Sequence, residues 1–244
     1  MVNTGLIGCG KWGSILKKKI EKHSNLVFVA RSKTNYKKKI SRVDWVFVAT
    51  PDITHFKIVK FLIKKRKNVF CEKPLAIRYV DAKFLFRLAK KNNVKLYVND
   101  VENFGKKVYY GKKNVVIRKN NSNLNFKNIL NRWFYHDFYL IFSDKKNTNF
   151  KISDVKMNNS LEFSLLFKKK KYFFIYNENS KKKKYLHNNV DLYKSKIDKL
   201  DKMILSVIHN RVNYRKNKKI ALNAVAGIQK IRKLFYKNLK IKNI

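Results

Sequence analysis

The sequence predicts an α/β protein, with a doubly wound parallel sheet over residues 1–103 and, over 104–244, a shortened α+β domain whose open sheet is mainly antiparallel. Three observations predict it. Short apolar runs alternate with helical stretches before Asn103, those runs are apolar on both faces, and the alternation gives way afterwards to consecutive strand patterns. In chain order, 4–7 reads as a strand. Lys11–His23 reads as a helix carrying Ile15, Leu16 and Ile20, and 26–30 as the second strand. A short turn or helix fits around 36–40. The strand 45–50, the helix 55–66, the strand Asn68–Cys71, the helix Tyr79–Lys91 and the strand 94–98 complete the half. Beyond it, 115–118 reads as a strand, 126–142 as a helix, and 150–155, Leu161–Phe167 and 172–176 as strands, four or five in all. Helices are expected at 191–209 and 220–239.

The composition excludes several classes. With 45% hydrophobic residues in 244, the chain can bury a core and is not a basic tail. Lys and Arg number 59 against 15 acids, a net charge of +44, which raises nucleic acid as a partner. But 49 of the 59 are Lys, beside 29 Asn, and the lysine runs at 17–19, 37–39, 168–171 and 181–184 are spread along the whole length. A selected nucleic-acid surface draws on the arginine fork, so a drifted composition is the better reading and no specific nucleic-acid partner is expected. Cys9 and Cys71 lack paired spacing, which argues against a metal site or a disulfide framework and for a reducing compartment. No basic leader opens the chain, and no run approaches the ~18 apolar residues of a membrane span. A cytoplasmic, soluble protein without a membrane partner is expected. Two prolines and seven glycines leave no linker, so any two domains are closely joined.

The first chemical motif is Gly8-Cys9-Gly10-Lys11-Trp12-Gly13, set between a strand and a helix. There Gly8 permits the tight turn, Gly10 lets a pyrophosphate approach the main chain, and Gly13 lets helix and strand pack closely. The helix amino terminus offers N–H groups and positive dipole to the phosphates. Dinucleotide binding is the reading; a glycine-rich turn without a ligand is the alternative. At the end of the second strand an acid would bind a ribose 2′-hydroxyl, but Arg31-Ser32-Lys33 stands there, so NADP(H) is favoured over NAD(H). Two further motifs, Ala49-Thr50-Pro51 with His55 and Glu72-Lys73-Pro74, fall where parallel strands end.

Together these three motifs, in this order over residues 1 to about 100, resemble the glucose-fructose oxidoreductase and inositol dehydrogenase family, Gfo/Idh/MocA. The resemblance implies a Rossmann domain holding NAD(P)(H) and a second α/β domain that shapes a substrate site and often a dimer interface. It also implies hydride transfer to or from a sugar, cyclitol or nucleotide-sugar carbon, as in saccharide biosynthesis. Lys73 is then the group beside nicotinamide and substrate hydroxyl, and His55 a wall of the cofactor site alongside Thr50, Pro51 and Glu72. In 131–141, His136 is implied as the acid/base, with Asp137 to orient it or bind a substrate hydroxyl. Arg132 stands where the family often has an aspartate, and suggests a substrate bearing a carboxylate or phosphate. The alternative for this segment is an aromatic helix packing as core around a satisfied histidine. His23, His187 and His209 show no partner pattern and are assigned surface or capping roles. The 30–43 stretch and the second domain are short for the family, so a cofactor-binding sensor or partner subunit without catalysis is the second functional expectation. A homodimer is expected by the same resemblance.

Overall fold

The computed structural model describes residues 1–31, 34–121, 129–142, 150–157, 160–193 and 198–240. The chain divides into two compact units, Met1–Phe104 with Asp198–Val225, and Gly105–Ile197 with Ala226–Ile244. The boundary falls one residue from the expected 103. The expected second domain, 104–244, is corrected, because Asp198–Val225 groups with the first unit.

In the first unit, β1 (Asn3–Ile7), α1 (Lys11–His23), β2 (Asn25–Ala30), β3 (Trp45–Val48), α2 (Asp52–Lys64), β4 (Asn68–Cys71), α3 (Tyr79–Lys91) and β5 (Leu96–Val98) alternate much as the sequence predicts. Two single 3₁₀ turns, Tyr36–Lys38 and Ile40–Arg42, fill the short stretch before β3. All strand pairs are parallel, in the order β2-β1-β3-β4-β5. A parallel sheet is covered on both faces, which is why the whole of β3, Trp45-Val46-Phe47-Val48, is buried. Along one face the rings of Phe47, Phe70 and Tyr97 follow one another at 5.0 and 6.1 Å.

That face explains the regrouped segment. Helix α1 buries Leu16 and Ile20 in the same cluster, and a later helix, Lys199–Ile208, adds Leu200, Met203, Ile204, Val207 and Ile208. The spacing of those five residues is the apolar stripe of a surface helix. Asp198 caps it by accepting from the Asp201 N–H at 2.9 Å. At its start, Lys19 meets Asp198 at 2.5 Å, while Lys22 and His23 each meet Asp201 at 3.0 Å. Burial alone would raise the Asp201 carboxyl, but Lys22 and His23 hold it below its ordinary range. His23 thus has a partner that its sequence neighbourhood does not show.

The second unit contains β6 (Lys113–Asn121), a π-helical turn (Leu130–Phe134) running into α4 (Tyr135–Phe142), and then β7 (Phe150–Met157), β8 (Leu161–Phe167), β9 (Lys170–Asn177), β10 (Asn179–His187) and β11 (Val190–Asp191). The expected helix 126–142 is described from residue 129 onward; its first part lies outside the described residues. Among the described residues six strands form this sheet instead of four or five, in the order β11-β10-β6-β9-β8-β7, antiparallel except for β6 with β9. β10 escapes sequence reading because Lys181–Lys184 shows no alternation; it pairs with β6 at its two ends, with a register shift between. β11 takes Asp191, the first residue of the helix expected at 191–209, and α5 spans Lys199–Ile208. After it, α6 runs Tyr214–Lys240, its first half grouped with the first unit and its second half with the second. The inner face of the sheet packs aromatic rings against α4, with Phe163 and Phe174 stacked at 4.6 Å and Phe138 and Phe142 at 4.2 Å. Among the described residues, no helix is long and apolar enough to cross a membrane.

If α5 is part of the first unit's core, removing the fully buried Met203 side chain has a core-sized cost. Met203→Ala is expected to destabilise the protein by about 2–5 kcal/mol in urea unfolding; a change below ~0.5 kcal/mol contradicts the placement of α5.

Candidate functional site

The strand order puts one point of divergence in the first sheet. From β1 the chain crosses to β2 on one side, while β3, β4 and β5 build out on the other. Doubly wound sheets bind ligands in the crevice this leaves at the carboxyl ends of the central strands. Gly8 leaves β1 here, Ala49-Thr50 leaves β3, Glu72-Lys73-Pro74 leaves β4 and Asn99 leaves β5.

The three motif glycines divide the work. Gly8 has φ +95°, and a Cβ on it would stand 2.4 Å from the Ala49 carbonyl oxygen. A Cβ on Gly13 would stand 2.2 Å from the Gly8 carbonyl oxygen, so the helix packs directly on the turn. A Cβ on Gly10 would meet nothing within 4 Å. Gly10 is also the N-cap of α1 and provides no side-chain acceptor, which leaves the first N–H groups of a 13-residue helix facing that open side. This is a cradle for a phosphate group, and the residues present fit a dinucleotide's pyrophosphate. Cys9 turns its Sγ to Ser14 Oγ at 3.6 Å, and Lys11 is exposed beside the turn.

One acceptor and two donors behind the crevice tie the motifs together. Glu72 Oε1 accepts from Trp12 Nε1 and from Asn99 Nδ2, both at 2.6 Å, which joins the glycine turn, the β4 loop and the end of β5. Asn99, just past β5, is 1% exposed and belongs to this frame. His55, expected as a wall of the cofactor site, is corrected. It has no exposed surface, and its Nδ1 and Nε2 face the carbonyl oxygens of Pro74 and Thr50 at 2.7 and 2.8 Å, so a ligand lying on the protein surface does not touch it. Pro51 is exposed at the head of α2, Thr50 and Lys73 are half-buried, and the Cys71 thiol is pushed well above its ordinary range by burial. Arg31 is exposed just past β2, its main-chain N–H held by Thr34 Oγ1 at 3.0 Å. The readings at Ser32 and Lys33 lie outside the described residues.

In the second unit, Arg132 is exposed on the π turn and His136 half-buried on α4. Asp137, expected to orient His136 or meet substrate, is corrected. It is fully buried: Oδ1 accepts from His187 Nε2 at 2.8 Å, Oδ2 accepts from the Tyr176 hydroxyl at 2.5 Å, and the Arg118 guanidinium lies 3.9 Å away. Burial alone would raise this carboxyl, but His187, Arg118 and Tyr176 hold it below its ordinary range. With its proton on Nε2, His187 accepts the Tyr110 hydroxyl at Nδ1, 2.6 Å away. His187 is therefore a core residue, contrary to the surface role expected for it. The one sequence signal for it is that Tyr185 and His187 share the inward side of β10. His209 takes the C-cap position of α5.

Residues 15–100 match the model of the Gfo/Idh/MocA oxidoreductase family, described as having an NAD-binding Rossmann fold. Over that stretch the chain is similar to the Gfo/Idh/MocA family. Over 131 residues it is 29% identical to the 2,7-anhydro-N-acetylneuraminate hydratase of Escherichia coli K12, an alignment covering 46% of this chain and 35% of that relative. The chain thus matches about a third of that relative's length. The structure of UDP-N-acetylglucosamine 3-dehydrogenase from Acidithiobacillus ferrooxidans superimposes with a TM-score of 0.78 at 14% identity, over 95% of this chain and 96% of that one. A protein of gentamicin A biosynthesis, in complex with NAD, superimposes with a TM-score of 0.75 at 12% identity, over 93% and 92%. At these identities the structural likeness concerns the fold.

The site geometry separates two glycine variants. Gly10→Val is expected to fold like the parent, whereas Gly13→Val forces a side chain onto the Gly8 carbonyl and costs at least about 1–3 kcal/mol; thermal melts of both check it, and equal melts contradict the packing described. For the second unit, Asp137→Asn leaves its buried partners without their anion and is expected to cost about 3–5 kcal/mol near neutral pH. The native carboxyl is depressed on folding, so its contribution is present above the unfolded carboxylate pKa and is lost as pH falls through the folded one. Urea unfolding from pH 7 to pH 3 should show the gap between parent and variant narrowing with acid; a constant gap contradicts the assignment.

Proposed function

We propose that this protein is an NAD(P)-dependent oxidoreductase acting on a CH–OH group of a sugar, cyclitol or nucleotide sugar. The observation that carries the reading is the open side of Gly10 at the head of α1, set at the point where the sheet order diverges. The match of residues 15–100 to the oxidoreductase family model and the NAD complex of a protein with a similar fold support it.

When bound, a nicotinamide supplies the hydride acceptor or donor that no side chain provides. The chain's own residues do the rest. Gly10 and the first turn of α1 hold the pyrophosphate, with Lys11 beside them. Arg31 takes a ribose 2′-phosphate through its guanidinium fork, which favours NADP(H). Lys73 binds the reacting oxygen and steadies the charge that grows on it. His136 takes the hydroxyl proton in oxidation and returns it to the carbonyl oxygen in reduction. Arg132 binds an acidic group of the substrate. An acidic sugar agrees with the names of the similar proteins, since a neuraminate carries a carboxylate and a UDP-sugar a diphosphate. Val115 and Phe173, cross-strand neighbours on the second sheet whose apolar side chains are exposed, support a homodimer.

Fluorescence titration with NADPH and NADH tests the cofactor reading. Binding is expected for the parent, tighter for NADPH, and lost in Gly10→Val; Arg31→Ala should erase the preference. Equal, weak signals from parent and Gly10→Val contradict it. With a turned-over acidic sugar in hand, Lys73→Ala is expected to keep cofactor binding and lose about 10²–10⁴-fold in kcat. Cofactor binding without turnover of any sugar would instead favour the sensor.

A further inference from the structure

His55 stands in the first turns of α2 with no surface open to solvent, between two main-chain carbonyl oxygens. Nδ1 lies 2.7 Å from that of Pro74 and Nε2 2.8 Å from that of Thr50. A neutral imidazole has a single N–H. It would satisfy one carbonyl and turn a lone pair toward the oxygen of the other, in a place where no water separates them. A ring with protons on both nitrogens donates to both. Asp52 stands three residues before His55 on α2, Glu72 opens the loop that carries Lys73 and Pro74, and the Cys71 thiol ends β4. Burial keeps that thiol protonated and without charge. Lys73 is the cation of the same loop, and the glycine turn brings the exposed Lys11 and the neutral indole of Trp12, which donates to Glu72.

We propose that His55 is held in its two-proton form as a clamp between the loops that follow β3 and β4, and that the clamp positions Lys73. The positioning half rests on the oxidoreductase reading above; the protonation half does not. Thr50 closes the β3 motif, and Pro74 directly follows Lys73, so the two bonds fix the Lys73 main chain to the edge where the sheet diverges. His55 acts through these carbonyls and touches neither cofactor nor substrate.

The test begins with the full-length protein, labelled with ¹⁵N-histidine, at pH 7.5 without nucleotide. One histidine is expected to show two slowly exchanging ring N–H protons with imidazolium nitrogen shifts, and to vanish from the spectrum of His55→Gln. A single ring N–H for this residue overturns the clamp. His55→Gln, whose amide cannot donate to both carbonyls, is then compared with the parent. Hydrogen exchange is expected to quicken at residues 72–76 and 49–51 while β2 and α3 stay as protected as before. The kcat is expected to fall about 10²-fold with NADPH affinity within about threefold, as a misplaced reacting group would give. Unchanged exchange in those loops, or unchanged kcat, overturns the positioning. A parent that binds neither nucleotide defeats the oxidoreductase reading, and the ring protons and loop exchange still decide the clamp.

Discussion

The parting of β2 from β3 on either side of β1 is the constraint from which the site follows. Because all five strands run the same way, their carboxyl ends deliver the glycine turn, the Thr50 loop, the Lys73 loop and Asn99 to one edge. Nothing local in those four segments requires them to meet; the sheet order does. The meeting is then made rigid by few contacts. Gly13 lets α1 seat on the Gly8 carbonyl, Glu72 bonds both Trp12 and Asn99, and His55 bridges Thr50 and Pro74. What the edge offers a ligand is consequently main-chain N–H groups at the head of α1, with the side chains of Glu72, Asn99 and His55 behind them engaged.

A different interaction organises the second unit. Asp137 brings a charge into an aromatic core, and burial works against it. Three strands answer it, β6 through Arg118, β9 through Tyr176 and β10 through His187. Arg118 in turn lies 3.9 Å over the ring of Tyr185. A carboxylate bonded to this many elements sets the rotation of α4 about its axis. Its neighbour His136, about 100° further round the helix, is thereby turned to a half-buried position.

The first unit was legible because its signals are local. A strand buried on both faces shows as an unbroken apolar run such as 45–48, and the glycine turn shows as three glycines whose jobs depend on the turn itself. What stayed hidden depends on partners distant in sequence. α5 shows its own apolar stripe, but only the packed face of Leu16, Phe47 and Phe70 says which unit it covers. β10 hides behind Lys181–Lys184, whose exposed charges suit a strand near the sheet edge but erase alternation. Asp137 looked like a partner of His136 because the two are adjacent; adjacent helix residues diverge, and its partner is His187, fifty residues on. His55 was placed near the cofactor by its motif, and its motif gave no sign that both ring nitrogens are taken by main-chain carbonyls.

The central claim is that the turn at Gly10 and the head of α1 receive the pyrophosphate of a nicotinamide dinucleotide. The most direct measurement is a ¹H–¹⁵N correlation spectrum of the protein titrated with NADPH. The largest amide shifts should fall on residues 8–14, with those of Thr50 and Lys73 next, and the second-unit strands β7 and β8 unmoved. Saturable shifts confined to the lysine-rich β10, or none at the glycine turn, would contradict it.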